Sequence, residues 1–362
     1  MQTVRAAVCR GFGAPLTIEK VRLAPPKLGE VEVTLDAVAI CHSDISFAEG
    51  AWGGSLPAVY GHEAAGRVTQ VGPGVLHLAP GDSVVVTLIR ACGGCGACAN
   101  GHPTLCEAEH DDDGAPLQTG DGGPLHQGMA TGAFAEKVVV DHSQVVAIPA
   151  DMPKAVASVI GCSVITGIGA VVNTARLKAG EDVVVIGAGG VGLNAIQGAR
   201  LAGARRIVAV DQSEDKLAIA RAFGATDGVL ASDPQPHRAA IGALGRAADA
   251  VFVTVGAISA YAQAPQYLAR GGRMVLVGMP PSGATAPYEP VILSYLGQSL
   301  LGSKMGDVVL RRDVPWMIDL YRQGRLKLDE LISRRWRLED INAAIADTKT
   351  GSAKRNVIVF DR

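Results

Sequence analysis

The sequence predicts an α/β protein in two parts: a β-rich region to which both chain ends contribute, and a doubly wound parallel sheet between them. Two observations carry this. Up to about residue 150, β-branched runs are separated by Gly and Pro turns, with no long helical periodicity among them. Beyond Pro153, apolar strand runs alternate with helix-compatible segments at the spacing of βαβ units. At 362 residues, 48% apolar and 19% charged, the chain has enough apolar surface to bury a large core.

The first strands are Val31 to Ile40 (VEVTLDAVAI), Ser83 to Ile89 (SVVVTLI) and Phe134 to Val140 (FAEKVVV), which suit a barrel-like or sandwich unit. Glu107 to Thr131, rich in Asp and Gly, is expected to be one long irregular loop. The parallel strands are VVVI at 183–186, IVAV at 207–210, AVFVTV at 250–255 and MVLVG at 274–278, with helices at Ser213–Phe223 and Ser259–Leu268 between them. The last sixty or so residues revert to the first pattern. A helix around Val308–Gln323, a basic strand Ile332–Leu338, a helix Leu338–Asp347 and a strand Asn356–Phe360 fold back onto the first domain. The expected domains are therefore 1–160, 161–303 and a return at 304–362.

Charge excludes several partners. Thirty-three basic and 35 acidic residues give a net charge of -2 with no basic block, so no nucleic-acid or anionic-membrane footprint is expected. The N-terminus lacks the long apolar run of a signal peptide. Ala155 to Ala175 is uncharged, but its three glycines and scattered hydroxyl and amide residues read as buried helix and loop.

Chemistry begins with GAGGVG, Gly187 to Gly192, which follows the strand VVVI and opens a helix-compatible stretch. Gly187 permits a tight turn, Gly189 and Gly190 let backbone approach a pyrophosphate, and Gly192 allows close helix–strand packing. A glycine motif alone is weak. Here a second strand, RIVAVD, ends in Asp211, where an acid accepts both ribose hydroxyls and repels a 2′-phosphate. NAD is thus expected over NADP, with Lys216 in reach of the adenosine ribose.

Of seven cysteines, Cys92, Cys95, Cys98 and Cys106 read C-x2-C-x2-C-x7-C, and the clustering points to metal thiolates in a reducing, cytoplasmic compartment. Four thiolates make a closed tetrahedral zinc site of the structural kind. An iron–sulfur cluster also uses x2 spacings, but the fourth cysteine lacks the following proline and no second set accompanies it. Cys41, His62 and Cys162 are dispersed. Two thiolates and an imidazole would leave one position open, as in a catalytic zinc, yet each alone is as readily a core residue.

The chain resembles the zinc-dependent medium-chain alcohol dehydrogenases over nearly its whole length. The residues that carry the likeness are C41-H-S-D44, G61-H-E-A-A-G66 with G72-P-G-V75, the four-cysteine lobe, G161-C162, and G187-A-G-G-V-G192 with Asp211. The long loop resembles the class III-like, homodimeric members. GCSVITGIGAVVNT and the segment LYRQGRLKLDELISRRWRLEDINAAI look closest to the nitrosodimethylaniline-dependent and mycothiol-linked formaldehyde enzymes. The resemblance implies a GroES-like catalytic domain, a Rossmann domain and a homodimer. It implies that Cys41, His62 and Cys162 hold a catalytic zinc, that Asp44 bonds the second nitrogen of His62, and that Glu63 lies behind the metal, paired with Arg355. It further implies that His42 and Arg355 face the pyrophosphate, that Thr166 and Val191 face the nicotinamide, and that Val277 also contacts the cofactor.

The implied reaction is reversible oxidation of an alcohol to an aldehyde or ketone by hydride transfer to NAD, with zinc as Lewis acid and Ser43 receiving the alcohol proton. Within the family the alternative is a thiol-adduct formaldehyde dehydrogenase. Relatives of that kind use an acid in the loop before the zinc histidine and an arginine after the lobe, where this chain has Trp52 and His110, with Asp111 to Asp113 beside it. A zinc-free quinone reductase would lack the lobe. A non-catalytic dinucleotide-binding protein would be expected to have lost a ligand, and all three stand.

Overall fold

The computed structural model describes residues 1–109 and 115–360. The chain forms two compact units. One contains residues 1–162, 309–319 and 328–362, the other 163–308 and 320–327. The expected boundaries are 160/161 and 303/304; in the fold the chain crosses after Cys162 and after Val308, and residues 320–327 return to the second unit.

The first unit is built on two sheets. Five strands run in the order Leu117–Gln118, Thr17–Leu23, Gln2–Cys9, Ala58–Val59 and His126–Gln127. The second sheet has the order Val145–Ala147, Ser83–Val86, Glu63–Val71, Glu30–Ala39, Arg355–Val359 and Ile332–Trp336, with Lys137–Asp141 also paired to Glu30–Ala39. Strand Glu30–Ala39 is buried on both faces, as its run of Val, Leu and Ala requires, and a core including Val8, Val33, Leu35, Ile40 and Phe134 packs around it.

Two registers position the site. Glu30–Ala39 and Glu63–Val71 are antiparallel with Ala39 opposite Glu63, so the end of one strand and the start of the other meet. Arg355–Val359 flanks Glu30–Ala39 on the other side with Val357 opposite Ala39, which carries Arg355 to the same end of the sheet. Gly66 allows the close pairing: a Cβ there would lie 2.1 Å from the Thr34 carbonyl oxygen.

The second unit is a six-stranded parallel sheet in the order Asp227–Leu230, Arg206–Asp211, Asp182–Ile186, Ala248–Val253, Leu268–Leu276 and Ser299–Gly302. The chain builds outward from Asp182–Ile186 on one side, then returns to its other edge. That reversal makes the carboxyl end of this strand a topological switch point, where ligands of such sheets bind. Helices Gly190–Leu201, Glu214–Phe223 and Pro236–Leu244 connect the strands.

The stretch 107–131 and the helix at Ser259–Leu268 differ from expectation, whereas the uncharged stretch is buried helix as expected. The stretch 107–131 is not wholly irregular, since Leu117–Gln118 and His126–Gln127 pair into the five-stranded sheet. The helix expected at Ser259–Leu268 spans Ile258–Gln263, and Pro265 tightens the rest into a 3₁₀ turn. The uncharged stretch breaks at Gly161-Cys162 into short, mostly buried helices. Among the described residues no single helix is long and apolar enough to cross a membrane.

Candidate metal centres and dinucleotide loop

Cys41 caps helix His42–Ala48, directly after strand Glu30–Ala39. His62 directly precedes Glu63–Val71. The paired strands therefore set these two residues side by side. Cys162 arrives from the other direction on a turn pressed flat against the same strand: a Cβ on Gly161 would lie 3.0 Å from the Glu63 Cα. As a result the ligand atoms of Cys41, His62, Glu63 and Cys162 all lie within 4.8 Å of one another, and all four residues are buried.

Asp44 organises this cluster. One carboxylate oxygen accepts from the Cys41 N–H at 3.0 Å, and the other from the Gly61 N–H at 2.9 Å and from His62 Nδ1 at 2.9 Å. With Nδ1 as donor, His62 presents a lone pair at Nε2, which is buried with no hydrogen-bond partner. Burial disfavours the charged imidazole, but the Asp44 carboxylate outweighs it and holds the pKa of His62 well above its ordinary value. The hydrogen bond from Cys162 draws the Cys41 thiol well below its usual range, and the same bond with burial pushes Cys162 up. Burial lifts Glu63 to about 7, against the Arg355 guanidinium whose Nη2 stands 3.6 Å away. A buried orphan imidazole nitrogen facing two thiols is the donor set of a zinc ion, and these residues fit one. Ser43 lies half-buried in the first turn of the same helix, and His42 beside it is exposed.

Cys92, Cys95, Cys98 and Cys106 also converge within 4.8 Å, with no disulfide among them. Gly93, at φ +74°, turns the chain, and backbone N–H groups point at the sulfurs. Cys95 N–H donates to Cys92 Sγ at 3.3 Å, Cys92 N–H to Cys106 Sγ at 3.3 Å, and Cys98 and Glu107 N–H to Cys95 Sγ at 3.5 and 3.4 Å. The bonds from Glu107 and Cys98 bring the Cys95 thiol down to about 6. Donors aimed at sulfur stabilise thiolate, the form a metal binds. His110 and Asp111 to Asp113 lie outside the described residues.

In the second unit, Gly187 turns at φ +99° directly after strand Asp182–Ile186, and Gly189 caps helix Gly190–Leu201. A Cβ on Gly192 would meet the Gly187 carbonyl oxygen at 1.8 Å, whereas one on Gly189 would meet nothing within 4 Å. The loop is thus sealed on its inner side and open at the helix N-terminus, where an anion binds. Asp211 ends the neighbouring strand; its Oδ1 accepts from the Gln212 N–H at 2.7 Å and lies 3.8 Å from Lys216 Nζ. Its Oδ2 accepts from the Ala188 N–H at 2.7 Å, a bond to the glycine loop that no sequence pattern announces. Helix Ser163–Gly169 lies close enough that a Cβ on Gly167 would be 2.4 Å from the Val191 carbonyl oxygen. That helix carries Thr166, whose hydroxyl donates to Met305 Sδ at 3.7 Å. Val277 follows strand Leu268–Leu276 and donates to the Val253 carbonyl at 3.0 Å.

Comparison with known proteins agrees with this geometry. The alcohol dehydrogenase GroES-like domain family matches residues 27–150, and the zinc-binding dehydrogenase family matches residues 190–323. An S-(hydroxymethyl)glutathione dehydrogenase of Paracoccus denitrificans is 34% identical over 374 residues, covering 98% of this chain and 99% of that one. An NDMA-dependent alcohol dehydrogenase of Amycolatopsis methanolica is 33% identical over 364 residues, covering 98% of both chains. The crystal structure of an alcohol dehydrogenase zinc-binding domain protein from Burkholderia ambifaria superposes with a TM-score of 0.95 at 34% identity, covering both chains fully. The chain belongs to the zinc-dependent medium-chain alcohol dehydrogenases, in their class III-like branch, and is a zinc-dependent oxidoreductase.

Proposed function

We propose that this enzyme oxidises an uncharged alcohol at a zinc held by Cys41, His62 and Cys162, with a second, structural zinc held by Cys92, Cys95, Cys98 and Cys106. The observation that carries the reading is the orphan Nε2 of His62, buried against the two thiols while Asp44 holds Nδ1. Zinc bound there supplies Lewis-acid polarisation of the substrate oxygen, and NAD supplies the hydride acceptor. Asp44 fixes the tautomer of His62 and the N-cap of the helix that bears Ser43. Ser43 Oγ would accept the proton that the alcohol releases while passing its own to the ribose hydroxyl of the cofactor, and from there toward solvent. Glu63 and Arg355 balance charge behind the thiolates. In the second unit Gly187, Gly189, Gly190 and Gly192 cradle the pyrophosphate, Asp211 and Lys216 take the ribose, and Thr166, Val191 and Val277 flank the nicotinamide. His42 and Arg355 are assigned to the pyrophosphate on the family pattern.

The unit made of residues 1–162, 309–319 and 328–362 is the catalytic domain in this reading, and the unit of 163–308 and 320–327 the coenzyme domain. The chain works as a homodimer in the cytoplasm. The long segment 107–131 supports the first statement, and four clustered free thiols, which persist in reducing surroundings, support the second.

Metal analysis with two variants tests the assignment. Wild type is expected to hold two zinc ions per chain. Cys162→Ser should remain folded, still bind NAD, hold one zinc and lose turnover. Cys106→Ser should lose stability and expression instead, because the closed thiolate site is opened. Equal loss of folding in both variants would contradict the division.

A further inference from the structure

Thr254 follows strand Ala248–Val253, the neighbour of strand Asp182–Ile186 on the side away from Asp211. Its backbone N–H donates to the Ile186 carbonyl at 3.0 Å. Its hydroxyl is shared between the Ile186 and Gly187 carbonyls, at 3.0 Å each. The hydroxyl occupies a space that two glycines leave open. Cβ atoms on Gly187 and on Gly192 would each lie 2.9 Å from Thr254 Oγ1. Those glycines therefore admit a side-chain anchor from the next strand, besides allowing the turn and the close packing of the helix. From the opposite side Asp211 holds the Ala188 N–H. The first turn of the glycine loop is gripped at both edges, by its carbonyls on one side and an amide on the other.

We infer that Thr254 is a positioning residue for dinucleotide binding, its hydroxyl pinning Gly187 so that the loop's N–H groups are held ready for the pyrophosphate. This rests on the reading of Gly187–Gly192 as the NAD loop. Thr254 acts through the loop and not on the reacting atoms. A loop that must order itself on binding loses affinity by the ordering it has to supply.

Calorimetric titration of the zinc-loaded enzyme with NAD and with ADP-ribose tests the pin. Thr254→Val keeps the branched shape and removes only the hydroxyl. Affinity for both ligands should fall roughly tenfold, the size of one well-placed hydrogen bond. The KM for NAD should rise in step, with the KM for the alcohol unmoved. Thr254→Ser should restore wild-type affinity, and Thr254→Ala should behave as the valine variant does. Thr226→Val is the control. Its hydroxyl also bonds a neighbouring strand, accepting from the Ile207 N–H at 3.0 Å and donating to the Ile207 carbonyl at 3.1 Å, at the amino end of the sheet. Loss of that hydroxyl should leave NAD affinity unchanged. The pin is overturned if Thr254→Val binds ADP-ribose as tightly as wild type, or if Thr226→Val loses as much. A wild-type protein that binds neither ligand overturns the NAD reading itself and the pin with it.

Discussion

Asp211 Oδ2 accepts a hydrogen bond from the backbone N–H of Ala188, so the acid proposed to select the ribose also holds the glycine loop in place. Asp211→Gly should therefore do more than relax cofactor choice. Losing the carboxylate removes its repulsion of a 2′-phosphate, but it also frees the Ala188 amide. KM should rise for both dinucleotides, roughly tenfold or more for NAD and less for NADP, since a bond to a charged acceptor contributes about 1.5–3 kcal/mol. Steady-state kinetics with both cofactors decides it. A variant that gains NADP activity at no cost in NAD would show the Ala188 bond to be idle.

Trp52 packs edge-on against Phe47, with centroids 5.0 Å apart and planes at 79°, and Phe47 stacks on Tyr60. The loop before His62 thus carries an aromatic cluster where glutathione-adduct relatives are expected to carry an acid. S-hydroxymethylglutathione, an anionic substrate, should be oxidised poorly, and uncharged primary or aromatic alcohols well. Efficient turnover of the adduct at micromolar concentration would reverse this substrate assignment.

Ser43 and Ser46 share one short helix, and the position three residues after the relay hydroxyl holds no base. Ser43→Ala should lower alcohol oxidation strongly across the pH range. Ser46→His should raise it modestly and mainly below pH 7, where hydroxide is scarce and the neutral fraction of an imidazole with an ordinary pKa of about 6.5 still accepts the relayed proton. Rate against pH for both variants is the measurement. Wild-type rates in Ser43→Ala would remove the relay from the mechanism.

Asp182 begins the central parallel strand and is fully buried, while its partners Arg205 and Arg246 are about half exposed, each with a nitrogen 2.6 Å from Oδ2. Burial opposes the charged carboxylate, but the two guanidiniums prevail and hold its pKa below the ordinary range. That contribution is present above the usual carboxylate pKa and is lost as pH falls through the native value. Replacing both arginines by leucine would strand the buried carboxylate and should cost about 3 kcal/mol at pH 7. Burial alone would then raise its pKa, so the double variant should recover stability on acidification toward pH 5 instead of losing it. Thermal unfolding at the two pH values checks the reversal.

The parts legible in the sequence were those written contiguously. The cysteine lobe and the strand–glycine–helix loop each occupy a short stretch, so spacing alone carries their chemistry. Cys41, His62, Cys162, Asp44, Glu63 and Arg355 lie hundreds of residues apart at the extremes and were joined only through a family likeness. What joins them physically is strand register, Ala39 against Glu63 and Val357 against Ala39, and register across bulged strands is a non-local property. The two short strands within 107–131 fell below any readable alternation, having two residues each. The grip of Asp211 on Ala188 uses a backbone donor, which no residue type reveals.

The two cysteine-rich centres differ in how far the chain must travel to close them, and this sets an order of assembly during synthesis. From Cys92 to Cys106 the lobe closes a short loop, so it can take its metal as soon as that stretch leaves the ribosome. Cys41 to Cys162 spans a loop roughly nine times longer, about 2 kcal/mol costlier to close, and the flanking strand with Arg355 lies almost two hundred residues further on. A truncated chain ending after the lobe should therefore already bind one zinc, while the second waits for the seven-stranded sheet. On the proposed assignments, a cell short of zinc would therefore load the lobe first and leave the reactive centre until the sheet around it is complete.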